Sequence, residues 1–192
     1  MTMDDKHRNF DEKKLFDRKG NFCGYRFCPL CGTEMVVKET DGRPRKICPG
    51  KDCGYVFYQN PIPAAGAMII QDDRILMVKR AHPPKVDWWC LPAGFMEWDE
   101  HPMDTAVREL EEETGLKVKL TSFFEVYSGN DDPRNNAILI LYLAEVVGGT
   151  MSPSDDASDV RYFAFDALPE KIAFESHVQA LADYDRRYRT SK

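Results

Sequence analysis

Along this chain, short runs of apolar residues are bounded by turn-forming clusters, and one stretch keeps a helical period instead. Met35-Val36-Val37-Lys38 and Arg45-Lys46-Ile47 flank a turn at Asp41-Gly42 and predict a small hairpin. Tyr58-Gln59-Asn60-Pro61-Ile62-Pro63 reads as a stiff, extended linker, because each proline biases its predecessor away from helix. Apolar strands follow at 64–70 and 74–79, joined by a turn at Asp72-Asp73. His82-Pro83-Pro84-Lys85 forms a loop before 88–91. Residues 119–128, 137–147 and 160–165 are further strand candidates, with the polar segment 129–136 as a loop. Residues 176–187 predict an amphipathic helix with Val178, Leu181 and Tyr184 on one side.

The strongest helical pattern covers 102–114. Ala106, Val107 and Leu110 make an apolar stripe, Pro102 suits a first-turn position, and Gly115 suits a C-terminal stop. Glu109, Glu111, Glu112 and Glu113 crowd its C-terminal end, where the macrodipole disfavours each anion by roughly 0.3–1 kcal/mol. Glu109 and Glu113 also repel as an i,i+4 pair. A local rule broken repeatedly at one place is where function is expected. The spacing of Glu109, Glu112 and Glu113 projects them from one face, while Glu111 points elsewhere and Arg108 can reach Glu111 or Glu112. Three clustered oxygen ligands suit a hard divalent cation, with Mg²⁺ (or Mn²⁺) the usual choice when substrate phosphates complete the shell. The plain alternative is a solvated acidic face.

Length and charge narrow the setting. The 192 residues leave room for one core and a small accessory module. The expected division is a charged extension at 1–22, a small module at 23–60 and the main domain at 61–192. A net charge of −6 disfavours long-range attraction to nucleic acid or to an anionic membrane. No apolar run approaches the ~20 residues of a membrane span, and the N-terminus lacks the apolar core of a secretory signal. A cytoplasmic location is expected, which disfavours disulfides.

The cysteines then need another purpose. Cys28-Pro-Leu-Cys31-Gly is followed by Cys48-Pro-Gly-Lys-Asp-Cys53-Gly, with 16 residues between Cys31 and Cys48. Two such knuckles, each followed by a glycine able to take positive φ, point Cys28, Cys31, Cys48 and Cys53 at one tetrahedral Zn²⁺. With the hairpin between them, the pattern is a zinc ribbon. A closed four-cysteine site makes this zinc structural. Cys23 lacks the knuckle pattern but could compete as a ligand, and Cys90 reads as a small core residue.

The residues from Gly94 to Leu116 carry a resemblance. Gly94, five residues, Glu100, seven residues, then Arg108-Glu109-Leu110-x-Glu112-Glu113-x-Gly115-Leu116 resembles a complete Nudix box. The resemblance implies an α+β fold, an α/β/α sandwich with a mixed sheet and helices on both faces, here preceded by the zinc ribbon. It also implies Mg²⁺-dependent hydrolysis of the pyrophosphate bond in a nucleoside diphosphate linked to another moiety, releasing AMP and a phosphorylated product. Leu91-Pro92-Ala93-Gly94 is similar to the turn from which the family adds a backbone carbonyl to the metal, so Ala93 and Gly94 join Glu109, Glu112 and Glu113 as expected ligands. By the same likeness Arg108 orients a ligand carboxylate, and Glu100 anchors the loop or reaches the metal through water. The family's loop carboxylate, the general base, aligns with Asp156 first and Asp159 second; Glu109 or Glu113 would serve otherwise.

Substrate clues lie outside the box. Tyr58-Gln59-Asn60-Pro61 and Ala173-Phe174-Glu175-Ser176 resemble the FAD and ADP-ribose pyrophosphatase branch. The NADH pyrophosphatases carry a downstream Ser-Gln-Pro-Trp-Pro-Phe-Pro element, where this chain has Tyr127-Ser128-Gly129-Asn130-Asp131-Asp132-Pro133. Pro133 lies near the proline that marks ADP-ribose enzymes. Phe57, Tyr58, Phe95, Trp98 and Tyr127 are aromatics able to stack a base or flavin. The expected partner is a small nucleotide, and the expected assembly a homodimer. RNA 5′-end decapping is the rival, prompted by Lys38, Arg43, Arg45 and Lys46 on the ribbon, and a nucleotide sensor without catalysis is the second rival.

Overall fold

The computed structural model describes residues 25–132, 135–154 and 156–189. Cys23, Pro133 and the proposed extension at 1–22 lie outside the described residues. Two compact units meet between Asn60 and Pro61. Among the described residues, no helix is long and apolar enough to cross a membrane.

The first unit holds an antiparallel sheet of β1 (Val36–Thr40), β2 (Arg43–Ile47) and β3 (Val56–Phe57). Thr40 pairs with Arg43 around Asp41 and Gly42, which both take positive φ, as a tight hairpin turn requires. Its buried core is small: Met35 with Cys28 and Cys48.

The second unit is built on β4 (Ile62–Gln71), β5 (Arg74–Arg80), β6 (Trp89–Cys90), β7 (Ala93–Phe95), β8 (Leu116–Gly129), β9 (Ala137–Gly149) and β10 (Ala157–Ala164). Helix α1 (Pro102–Thr114) follows β7, and α2 (Glu175–Tyr184) runs into a π-helical turn, Asp185–Arg189. The sheet order is β10-β5-β4-β9-β8, with β4 and β9 parallel and the remaining pairs antiparallel. The linker prolines are thus partly absorbed, since Ile62 and Pro63 already belong to β4.

Strand β4 is buried on both faces, which is why its sequence is continuously apolar. Ala65, Ala67 and Ile69 pack with Leu76, Val78, Ala106 and Leu110 on the α1 side. Met68, Ile75, Met77 and Leu141 pack with Ala180 and Leu181 on the α2 side. The mixed sheet therefore lies between two helices, as the α/β/α reading expected. On α2 the inward face is His177, Ala180 and Leu181, whereas Val178, expected inside, is exposed. A buried histidine taking the place of an aliphatic residue hid that face from a hydrophobicity pattern.

One irregularity positions everything that follows. β4 and β5 pair only beside their turn, at Ile70–Ile75 and Gln71–Arg74, and then part. The chain from Trp89 to Phe95 crosses the gap: β6 pairs with β5 through Val78–Cys90, and β7 pairs with β4 through Gly66–Ala93. Gly66 permits this crossing, because a Cβ there would lie 2.3 Å from the Pro92 carbonyl oxygen.

Candidate active site

Helix α1 begins at the His101 N-cap, whose side chain accepts the Met103 N–H, and has Pro102 in its first turn. It ends at Gly115 in the left-handed region, φ 70°, whose N–H donates to the Glu111 carbonyl. Thr105, Ala106, Leu110 and Thr114 are buried. That stripe turns Glu109 and Glu113 along its margin and toward β7. The Ala93 N–H donates to Glu113 Oε2 at 3.0 Å. A Cβ on Gly94 would fall 2.1 Å from the Glu109 carboxyl carbon, so the Glu109 carboxylate takes this position only with glycine there.

Arg108 organises the flank. Its Nε and Nη2 donate to the two Glu100 oxygens at 2.6 and 2.7 Å, and Nη1 donates to Glu109 Oε1 at 2.6 Å and Glu112 Oε2 at 2.9 Å. Nη2 also donates to the Phe95 carbonyl at 3.2 Å. Of the two partners expected on the helix, Arg108 takes Glu112 and not Glu111. Glu100 additionally accepts from the Glu97 N–H and the Thr105 hydroxyl. Arg108, foremost among these partners, holds the Glu100 carboxyl down to about 2. Glu100 thus fastens the loop ahead of α1.

The three carboxylates of the predicted face divide. Glu109 and Glu113 line a cavity of about 400 Å³ together with Ala93, Gly94 and Asp156. Glu112 is turned to Arg108, is largely exposed, and is not among the cavity's lining residues. Burial, and secondly the Glu109 charge, pushes Glu113 up to about 8. Burial also raises Glu109, against the pull of Arg108. Two partly desolvated carboxylates one turn apart, with one arginine shared among four acceptors, form a donor set short of positive charge. Such a set fits a hard divalent cation.

Asp156 lines the same cavity and lies 3.6 Å from His82 Nε2. Asp159 pairs instead with Arg161 at 2.5 Å and is not among the lining residues. Of the expected aromatics, Phe95 lines the cavity and Trp98 is 94% exposed. Tyr127 is buried, its hydroxyl donating to Asp183 at 2.9 Å. Phe57 meets Tyr25 edge-on, and Tyr58 lies under Arg45, both within the ribbon. Arg80, Phe174 and His177 also line the cavity, and no role was read for them in the sequence. Phe174 stood inside a recognised segment, but Arg80 simply reads as the polar end of an apolar strand.

A family model of the NUDIX domain matches residues 60–184. The chain belongs to the Nudix family. A second model, described as Nudix N-terminal and of zinc-ribbon type, matches residues 26–59 of this Nudix protein. An ADP-ribose pyrophosphatase of Methanocaldococcus jannaschii is 39% identical over 133 residues, covering 69% of this chain and 78% of that one. A NAD-capped RNA hydrolase NudC of Pseudomonas aeruginosa is 29% identical over 160 residues, 82% of this chain but 54% of the relative, so this chain spans about half of it. Among solved structures, a NUDIX hydrolase from Nitrosomonas europaea superposes with a TM-score of 0.75 at 30% identity, covering 88% of this chain and 94% of that one.

The ribbon of this Nudix protein brings its four cysteines together. One sulfur from each of Cys28, Cys31, Cys48 and Cys53 lies within 4.8 Å of the others, with Cys31–Cys48 at 3.4 Å and Cys28–Cys53 at 3.6 Å. Zn–S bonds of about 2.3 Å place tetrahedral sulfurs roughly 3.8 Å apart, so the cluster fits a zinc ion. Gly32 and Gly54, following the knuckles, take φ of 73° and 66°. Cys90 is buried in the core of the second unit, where burial pushes its thiol up to about 12.

Proposed function

We propose that this Nudix protein hydrolyses the pyrophosphate bond of a nucleoside diphosphate linked to another group, with ADP-ribose as the type substrate, releasing AMP and a phosphorylated product. One observation carries the reading: Glu109 and Glu113 are packed against the Ala93–Gly94 backbone and exposed to a cavity of nucleotide dimensions. Glu109, Glu113 and the Ala93–Gly94 backbone would hold Mg²⁺ or Mn²⁺, with Glu112 entering the set if Arg108 releases it. Bound there, the cation supplies neutralisation of the phosphates and a lowered pKa for the attacking water.

The protein's own residues then do the rest. Arg108 keeps Glu109 aimed into the cavity, and Glu100 keeps Arg108 in place through two hydrogen bonds. Asp156 is the base that takes the proton of the attacking water, as its place beside Glu113 in the cavity allows. Cys28, Cys31, Cys48 and Cys53 hold a structural Zn²⁺.

The ADP-ribose assignment draws on the M. jannaschii relative's name. Decapping of RNA 5′ ends is a second reading, favoured by the NudC relatives and by the basic residues of the ribbon. A release assay over ADP-ribose, FAD, NADH and NAD-capped RNA separates them. Preferred AMP release from ADP-ribose or FAD supports the first reading, and preferred cleavage of the capped RNA replaces it with the second.

A further inference from the structure

Two side chains, from helices packed on opposite sides of the sheet, are fastened to the crossing between β6 and β7. The Ala93 N–H donates to Glu113 of α1 at 3.0 Å, and the Leu91 N–H donates to Nδ1 of His177 on α2 at 2.9 Å. Pro92, between them, has no N–H to offer. Two residues of chain put these anchor points no more than about 7 Å apart. Both side chains line the same cavity. The bond to Leu91 uses only one of the two His177 ring nitrogens.

An N–H donates only to an unprotonated ring nitrogen, so the Leu91 bond leaves the His177 ring proton on Nε2. The residue is 6% exposed, and burial, aided by the Arg80 charge, lowers its pKa to about 4. The ring is therefore neutral at physiological pH and held in one tautomer. Nothing among the described residues accepts from Nε2. The only buried side-chain nitrogen or oxygen without a partner among those residues is Arg45 Nε, so Nε2 opens to the cavity and is not sealed in the core. A neutral donor of fixed direction thus faces whatever fills the cavity.

A neutral donor suits an uncharged oxygen, whereas phosphate is better met by a cation. With one end of a bridge held by a cation at Glu109 and Glu113, a donor roughly 7 Å along the same segment meets the sugar joined to the bridge and not the held phosphate. A sugar hydroxyl accepts one hydrogen bond and donates another. The carboxylates of Asp131 and Asp132 line the same cavity and are acceptors suited to hydroxyl hydrogens. We propose that His177 is a substrate-binding, specificity-determining residue whose Nε2–H donates to an oxygen of the sugar joined to the pyrophosphate bridge. The proposal rests on the pyrophosphatase reading above.

Two substitutions separate the two ring nitrogens. His177→Asn keeps an acceptor where Nδ1 stands and removes the group at Nε2; His177→Gln carries an amide out to Nε2 and gives up the acceptor for Leu91. The test is equilibrium binding to the full chain with Mg²⁺ of α,β-methylene ADP-ribose, whose bridge is not hydrolysed, and of methylenediphosphonate, the same bridge without a sugar. His177→Asn should bind the analogue about three- to tenfold more weakly, the loss of one hydrogen bond, with a melting temperature near that of wild type. His177→Gln should keep more of the affinity and lose melting temperature, a contrast that a purely structural histidine would not produce. Methylenediphosphonate affinity should stay within twofold of wild type in both variants; if it binds wild type too weakly to measure, the analogue decides alone. Analogue affinity within twofold of wild type in His177→Asn overturns the proposal, and so does equal weakening of both probes, which would mark a phosphate contact. If His177→Asn does not fold, the Nε2 proton resonance of His177 in wild type decides: it should shift with the analogue, and a resonance left unmoved overturns the proposal. Binding is read without turnover, so failure of wild type to cleave ADP-ribose would sink the hydrolase reading separately. A wild type that does not bind the analogue sinks the proposal as well.

Discussion

Glu113 occupies a place where a lone carboxylate is costly: it is partly withdrawn from solvent and one turn from Glu109, and the hydrogen bond from the Ala93 N–H offsets this only in part. Replacing it by glutamine removes the charge and leaves the shape. Turnover should fall by at least ~10²-fold, with Asp156→Asn costing less because a neighbouring carboxylate can substitute as base. Steady-state rates at saturating Mg²⁺ check the order, and the reverse order would move the principal role to Asp156. Gly94→Ala separates chemistry from folding. The new methyl would meet the movable end of Glu109 rather than backbone, so the melting temperature should stay near wild type while turnover drops at least about tenfold. An unfolded variant, or an active one, would show that the Gly94–Glu109 approach does not do what is claimed. The carboxylates and Arg108 were legible because their spacing is a helical address. Arg80 was not, because its place in the cavity depends on the loop carbonyls behind it and on Phe174, far away in sequence.

At the scale of elements, the boundaries of α1 could be read almost residue by residue, since Pro102 and Gly115 are physical start and stop signals. The side of α2 that faces the core could not, because His177 is its inward residue. The His177 Nδ1 accepts the Leu91 N–H at 2.9 Å, and burial lowers its pKa to about 4 from an ordinary value near 6.5. The unfolded chain takes up this proton near pH 6.5, while the folded chain resists until about pH 4. The contribution is therefore complete above about pH 6.5 and is lost as pH falls below it, at up to about 1.4 kcal/mol per pH unit. Denaturant midpoints for wild type and His177→Gln between pH 7 and 5 should converge as pH drops; parallel curves would remove His177 from the account. In the ribbon, three short strands and a small buried cluster offer little apolar burial, so a metal ion held by the four cysteines, as proposed above, would supply the missing stability. Cys31→Ser should expose the ribbon's amides to hydrogen exchange while those of β4 and α1 stay protected. Equal protection in the ribbon of wild type and variant would leave the cysteine cluster without a structural role.

For the whole molecule, the mixed sheet between two helices follows from strands apolar on both faces and helices apolar on one. The crossing from β6 to β7 does not follow from any such pattern. It depends on β4 and β5 parting after Ile70–Ile75, and on the absence of a side chain at Gly66, neither of which leaves a periodic signal. Yet this crossing carries Ala93 and Gly94 to Glu109 and Glu113, and so turns an acidic helix end into a site. The function proposed for this constellation is cleavage of a pyrophosphate bridge. Its most direct test is AMP release from ADP-ribose by wild type and Glu113→Gln, measured with and without Mg²⁺. Mg²⁺-dependent release by wild type and a loss of at least ~10²-fold in the variant are expected. Release that persists in Glu113→Gln, or bound ADP-ribose left intact by wild type at saturating Mg²⁺, would contradict it.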